Sequence, residues 1–159
     1  MDAKTIQAYD RKAQDYSQEW LNQPVPTDVY QLLENFFMKG GKTLDVGCGN
    51  GRDTLPELAK FHEQFSNVFC ETVIMRLPHD EREQAVRRLR TLTASEGILY
   101  LSWRVTEGQD VRDSNGRLYS AFDSKEILQL FFQDDILHFE DRISQSSAKR
   151  VCRLIVKVT

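Results

Sequence analysis

The stretch at residues 43–53, TLDVGCGNGRD, limits what this chain can fold into more than any other. Thr43, Leu44, Val46 and Cys48 suit a buried strand, and Gly47-Cys48-Gly49-Asn50-Gly51 follows at its end. Glycines there let the backbone turn tightly and approach a ligand, because no Cβ stands in the way. Arg52 and Asp53 then read as the first turn of a helix, whose free N–H groups face the same space. A strand, a glycine loop and a helix start make a nucleotide-type site. The spacing is not that of the dinucleotide fingerprint G-x-G-x-x-G, since residue 52 is Arg. Asp45 is the odd residue: a carboxylate inside such a strand must serve a loop amide or a ligand amine.

These residues resemble motif I of the class I S-adenosylmethionine (SAM)-dependent methyltransferases, and the likeness runs along almost the whole chain. A glycine-rich turn in some other α/β protein is the competing reading. The resemblance implies a Rossmann-like three-layer α/β sandwich with a reduced sheet of about five strands, closed by an antiparallel C-terminal pair. It implies SAM as cofactor. Asp45 would serve its amino-acid end, and Gly47, Cys48, Gly49 and Gly51 would line it. Glu71 and Thr72 would sit near the transferred methyl group. No catalytic residue and no metal ligand set is assigned.

A single domain over residues 1–159 is expected, with a helical lid at 1–38 and the sheet core at 43–159. Ile6, Tyr9, Ala13, Tyr16 and Trp20 recur at helical spacing over residues 5–20. The family's N-terminal helix lies over the cofactor, so Tyr9 and Tyr16 become candidate cofactor contacts; a plain amphipathic helix is the alternative. Pro24 and Pro26 end that helix. Thr27 is expected to cap a second helix at 28–37, and Gly40-Gly41 to close it.

Residues 66–78, SNVFCETVIMRLP, resemble the family's fourth strand and its sequel. A reader of spacing alone would instead take Glu71 as the acid that ends a second strand and holds the cofactor ribose, about 20 residues past the glycines. If the fourth-strand reading holds, about 40 residues of the usual fold are absent, a little more than one βαβ unit. The junction would fall between residues 53 and 58. Because parallel crossovers are right-handed, a helix at 52–64 joining strands one and four directly would then have to change face, or the chain would swap into a partner. The first strand would become a sheet edge, which invites pairing with a second copy and so a homodimer. Two lost hydrogen bonds to the ribose acid, at about 1.5–3 kcal/mol each, would weaken the cofactor by roughly two to four decades. Glu71 from a second copy, or Glu57 or Glu63 on the rebuilt helix of this chain, could replace that acid.

Downstream, residues 80–93 read as a helix with Glu81, Arg82, Glu83, Arg87, Arg88 and Arg90 outside. Residues 94–97 read as a turn and 97–105 as a buried parallel strand. The polar loop 106–120, flanked by Arg104, Arg112, Arg117 and Tyr119, follows a strand's carboxyl end and is the best candidate for substrate contact; a surface hairpin is the alternative. Asp123 and Glu126 spell a capping box, followed by Ile127, Leu128, Leu130, Phe131 and Phe132 as a buried side. Residues 136–144 and 150–158 read as two strands. His79 reads as a surface residue at a helix start.

The functional reading is methyl transfer to a small-molecule acceptor; the alternative is a non-catalytic remnant of the fold acting as a dimeric interaction module. A net charge of −3 recommends neither nucleic acid nor an acidic membrane as partner. No apolar run is long enough to span a bilayer. Cys48, Cys70 and Cys152 lack metal spacing and suit reduced buried thiols in a cytoplasmic protein.

Overall fold

The computed structural model describes residues 1–47 and 63–159. Along the chain come α1 (Ala3–Leu21), α2 (Thr27–Phe36), β1 (Thr43–Val46) and β2 (Phe65–Cys70). A 3₁₀ turn (Ile74–Arg76), α3 (His79–Leu92), β3 (Thr93–Arg104), and the short strands β4 (Val111–Arg112) and β5 (Leu118–Tyr119) follow. The chain closes with α4 (Ser124–Gln129), β6 (Asp135–Ile143) and β7 (Arg150–Lys157). Cys48, Gly49, Gly51, the 53–58 junction, Glu57 and most of the 52–64 segment lie outside the described residues.

The main sheet has five strands in the order β1-β2-β3-β7-β6. β1, β2 and β3 run parallel, while β7 is antiparallel to both β3 and β6. This is the reduced sheet with a closing antiparallel pair that the sequence leads one to expect. β2 lies between β1 and β3, so Glu71 follows a central strand, as the fourth-strand reading requires. Among the described residues β1 forms one edge of the sheet.

Both faces are covered. Val46, Val68, Cys70, Leu99, Leu101, Leu154 and Val156 pack on one side with Val86, Leu89 and Leu92 of α3 and with Ile127 and Phe131. Ile98, Tyr100 and Ile155 pack on the other with Val29, Leu32, Leu33 and Phe36 of α2. Apolar side chains at alternate strand positions thus meet helices on each side, which makes the three layers.

Several local expectations change. Among the described side chains of α1, Thr5 and Ala8 are buried, whereas Ile6 and Ala13 are exposed. The helix is kinked at Lys12 (φ −127°, ψ 21°), which re-aims its two halves. Thr27 does not cap α2; its hydroxyl donates to Gln145 Oε1 at 3.1 Å, and Pro26 holds the cap position. α2 ends because Phe37 turns extended, before the glycines are reached. The turn expected at 94–97 is an irregular start of β3: Glu96 has φ +65°, and the register against β2 shifts between Phe65 and Asn67. Gly97 is needed there, since a Cβ would stand 2.8 Å from the Ala94 carbonyl oxygen. Arg82 is buried rather than on the outer face of α3. Phe132 is 80% exposed because α4 stops at Gln129.

Candidate functional site

The pairing of Val46 with Cys70 sets Gly47 and Glu71 side by side as the residues that leave β1 and β2. Gly47 has φ +91°, and a Cβ there would lie 2.3 Å from Val73 Cγ2. Only glycine fits, so the backbone of β1 runs directly against the segment that follows β2. Asp45, on β1, keeps its side chain open to solvent. Partial desolvation of the carboxyl raises its pKa above the ordinary carboxylate value.

Glu71 is held by two hydroxyls. Tyr100 donates to its Oε2 at 2.6 Å and Ser102 at 2.7 Å. Burial first, and then the neighbouring Glu71 charge, push the Tyr100 phenol well above its usual range, so it remains a donor. The next residue, Thr72, sits at φ +56°, a region that β-branched residues rarely adopt. Its N–H donates to Ser102 Oγ at 3.0 Å and to the Ser102 carbonyl at 3.2 Å. The strain is held by Ser102, and it points the chain out of β2. Tyr100 and Ser102 were not singled out from the sequence. Their signal was present: two polar groups at same-face positions of an otherwise apolar strand.

The loop after β3 is a hairpin built on β4 and β5. Asp113 organises its turn, accepting from the backbone N–H groups of Asn115 and Arg117, each at 3.0 Å. The hairpin is fastened to the segment after β2. Arg76 donates to the Leu118 carbonyl at 3.0 Å, Ser120 N–H donates to the Met75 carbonyl at 2.9 Å, and the Ser120 hydroxyl donates to the Leu77 carbonyl at 2.5 Å. α1 lies on this hairpin. Thr5 Oγ1 accepts from Leu118 N–H at 3.0 Å, and Asp2 pairs with Arg112 at 3.0 Å.

Tyr9 and Tyr16 meet each other edge-on, with ring centroids 5.5 Å apart. The Arg117 guanidinium lies 4.0 Å from the Tyr16 centroid and 5.8 Å from that of Tyr9, and it pairs with Asp113 at 2.6 Å. The two tyrosines are therefore brought to the hairpin. Among the described residues no hydrogen bond or ring contact joins them to Asp45, Gly47 or Glu71. Glu63 pairs with Lys42 at 3.2 Å, beside the start of β1 and away from the end where Gly47 lies. His79 is 83% exposed on its side chain, as a surface residue at a helix start should be.

No protein-family model and no curated protein matches the chain. Solved structures do. The 1,6-didemethyltoxoflavin-N1-methyltransferase of Burkholderia thailandensis, solved with 1,6-didemethyltoxoflavin and S-adenosylhomocysteine bound, aligns with a TM-score of 0.74 at 14% identity, over 99% of this chain and 88% of that one. A SAM-dependent methyltransferase from Anabaena variabilis aligns at 0.67 and 13% identity, over 100% and 96%. The N-methyltransferase NodS of Bradyrhizobium japonicum, in complex with S-adenosylhomocysteine, aligns at 0.64 and 11% identity, over 98% and 98%. At such identities the likeness is one of fold. The chain has a class I methyltransferase fold, built on a five-stranded sheet.

Proposed function

We propose that this chain binds SAM at the carboxyl ends of β1 and β2 and transfers its methyl group to a small-molecule acceptor. The observation that carries the reading is the end of β1, where Asp45 stands two residues before the left-handed Gly47 (φ +91°) and Glu71 leaves the adjoining strand at the neighbouring position. A cofactor with a cationic amino-acid end needs an acid for its ammonium where the chain turns sharply out of a strand. Asp45 would hold the ammonium, directly or through water. Glu71, fixed by Tyr100 and Ser102, would face the reacting groups. SAM supplies an electrophilic methyl on sulfur; the acceptor forms a bond to that carbon, and sulfur keeps the electron pair. The protein positions the two and excludes water.

α1 serves in this reading as a lid, held to the hairpin by Thr5 and by Arg117 under the tyrosine pair. β1, an edge strand among the described residues, supports a homodimer; light scattering that returns a monomer would remove that part. Two buried free thiols, Cys70 and Cys152, fit a reducing cytoplasmic setting. Among the described residues no helix is long and apolar enough to cross a membrane.

Calorimetric titration with S-adenosylhomocysteine tests the reading. Saturable binding that Asp45→Asn weakens at least tenfold, and that Gly49→Val abolishes, is the expected result. Folded protein that gives no heat at millimolar cofactor would point instead to a non-catalytic use of the fold.

A further inference from the structure

Most of the arginines that touch other elements have an acid. Arg82 pairs with Glu126, Arg90 with Asp134, Arg117 with Asp113 and Arg153 with Asp28. Arg76 and Arg104 do not: among the described residues no carboxylate forms an ion pair with either. Both lie on one ring. The Arg76 guanidinium is 3.8 Å from the Tyr119 centroid and that of Arg104 is 4.9 Å from it. Arg76 is only 7% exposed. One of its terminal nitrogens is used by the Leu118 carbonyl, and its Nε is sealed from water with no acceptor. Arg104, half-buried, is the last residue of β3.

A desolvated cation is normally matched by an acid. Two cations sharing one aromatic ring raise that demand, because the ring supplies only a weak quadrupole. Glu71, at the end of the adjoining strand, is engaged by Tyr100 and Ser102. The pair also stands where ligands of open α/β sheets bind, beyond a strand's carboxyl end. Guanidinium groups match planar oxyanions best.

We propose that Arg76 and Arg104, stacked on Tyr119, bind a carboxylate carried by the methyl acceptor. The word acceptor rests on the methyl-transfer reading; the anion site does not. Anchored there, the acceptor would be oriented from the β3 side, with its reacting atom turned towards the ends of β1 and β2.

The test is calorimetric titration of the whole chain with benzoate, benzamide and inorganic phosphate, with and without S-adenosylhomocysteine. It is repeated on Arg104→Gln and Arg104→Lys, each checked for native circular dichroism. Benzoate should bind at least tenfold more tightly than benzamide. Arg104→Gln should erase that preference and Arg104→Lys should retain part of it. Equal binding of the two probes, no binding of either, or a preference that Arg104→Gln leaves unchanged would overturn the proposal. Phosphate binding more tightly than benzoate would overturn the carboxylate assignment. If benzoate is preferred while S-adenosylhomocysteine does not bind, the anion site stands and the methyl-transfer reading falls. If S-adenosylhomocysteine binds and the probes are not distinguished, the opposite holds.

Discussion

Arg153, in the middle of β7, is joined to Asp28, in the first turn of α2, by an ion pair of 2.8 Å whose side chains are 1% and 5% exposed. Glu140 of β6 takes a second guanidinium nitrogen at 3.0 Å. Removing one partner of such a pair strands the other charge in the interior. Asp28→Ala is expected to destabilise the fold by about 3–5 kcal/mol, read from urea denaturation, and Asp28→Ala with Arg153→Met to recover most of the loss.

The same pair sets an acid dependence. Burial pushes the Asp28 carboxyl up, but the Arg153 guanidinium 2.8 Å away outweighs it and holds the carboxyl below its ordinary value. A depressed folded-state pKa stabilises the protein above the unfolded pKa, about 3.9, and that contribution is lost as pH falls through the folded value. The difference in urea midpoint between the native chain and Asp28→Asn should be constant at neutral pH and shrink below about pH 4.

Gly47→Ala should cost roughly 1–3 kcal/mol, since it adds a Cβ in the left-handed region against Val73. Adding Val73→Ala should recover the steric part and leave the backbone part. Thermal melts of the three variants measure both. A neutral Gly47→Ala would mean that β1 does not run against this segment.

Cys70 and Cys152 are both fully buried. Burial raises both thiols, and for Cys70 the charges of Glu71 and Asp45 add to it. Iodoacetamide at pH 8 should leave both unmodified in the native chain and alkylate them after denaturation, as mass spectrometry of the peptides will show.

α4 is short and relies on its cap. The Asp123 side chain accepts from Lys125 N–H at 2.9 Å, while Asp123 N–H donates to Glu126 Oε1 at 3.3 Å. Asp123→Ala should cost about 1 kcal/mol in chemical denaturation.

That capping box could be read from sequence because both partners lie within one turn of helix. The strands could be read for the same reason: runs such as Val68–Cys70 and Leu99–Leu101 state their burial locally. What the sequence hid depends on distant partners. Arg82 looks like a surface residue of a charged helix until Glu126 and the Phe122 ring arrive beside it. Arg153 alternates along β7 as a solvent-facing residue should, yet α2 covers it and brings Asp28. Thr27 has the chemistry of a cap, but Gln145 claims its hydroxyl. For the candidate site, Asp45, Gly47 and Glu71 were legible as a motif and its neighbour. The pairing of Arg76 with Arg104 over Tyr119 was not, because it exists only once the β4–β5 hairpin folds back over the turn after β2.

The order of the sheet also sets a gradient in time. β7 is hydrogen-bonded on both sides, to β3 and to β6, and β6 and β7 are joined by a short local turn. β1 has four residues and, among those described, a neighbour on one side only. Local hairpins close early and distant parallel pairings late, so β6 and β7 are the natural template and β1 the last strand to dock. Amide exchange should slow from β1 towards β7 in the resting chain. The proposed cofactor end lies at the fast-exchanging extreme, so ligand binding there should be recorded first as slowed exchange at residues 44–47.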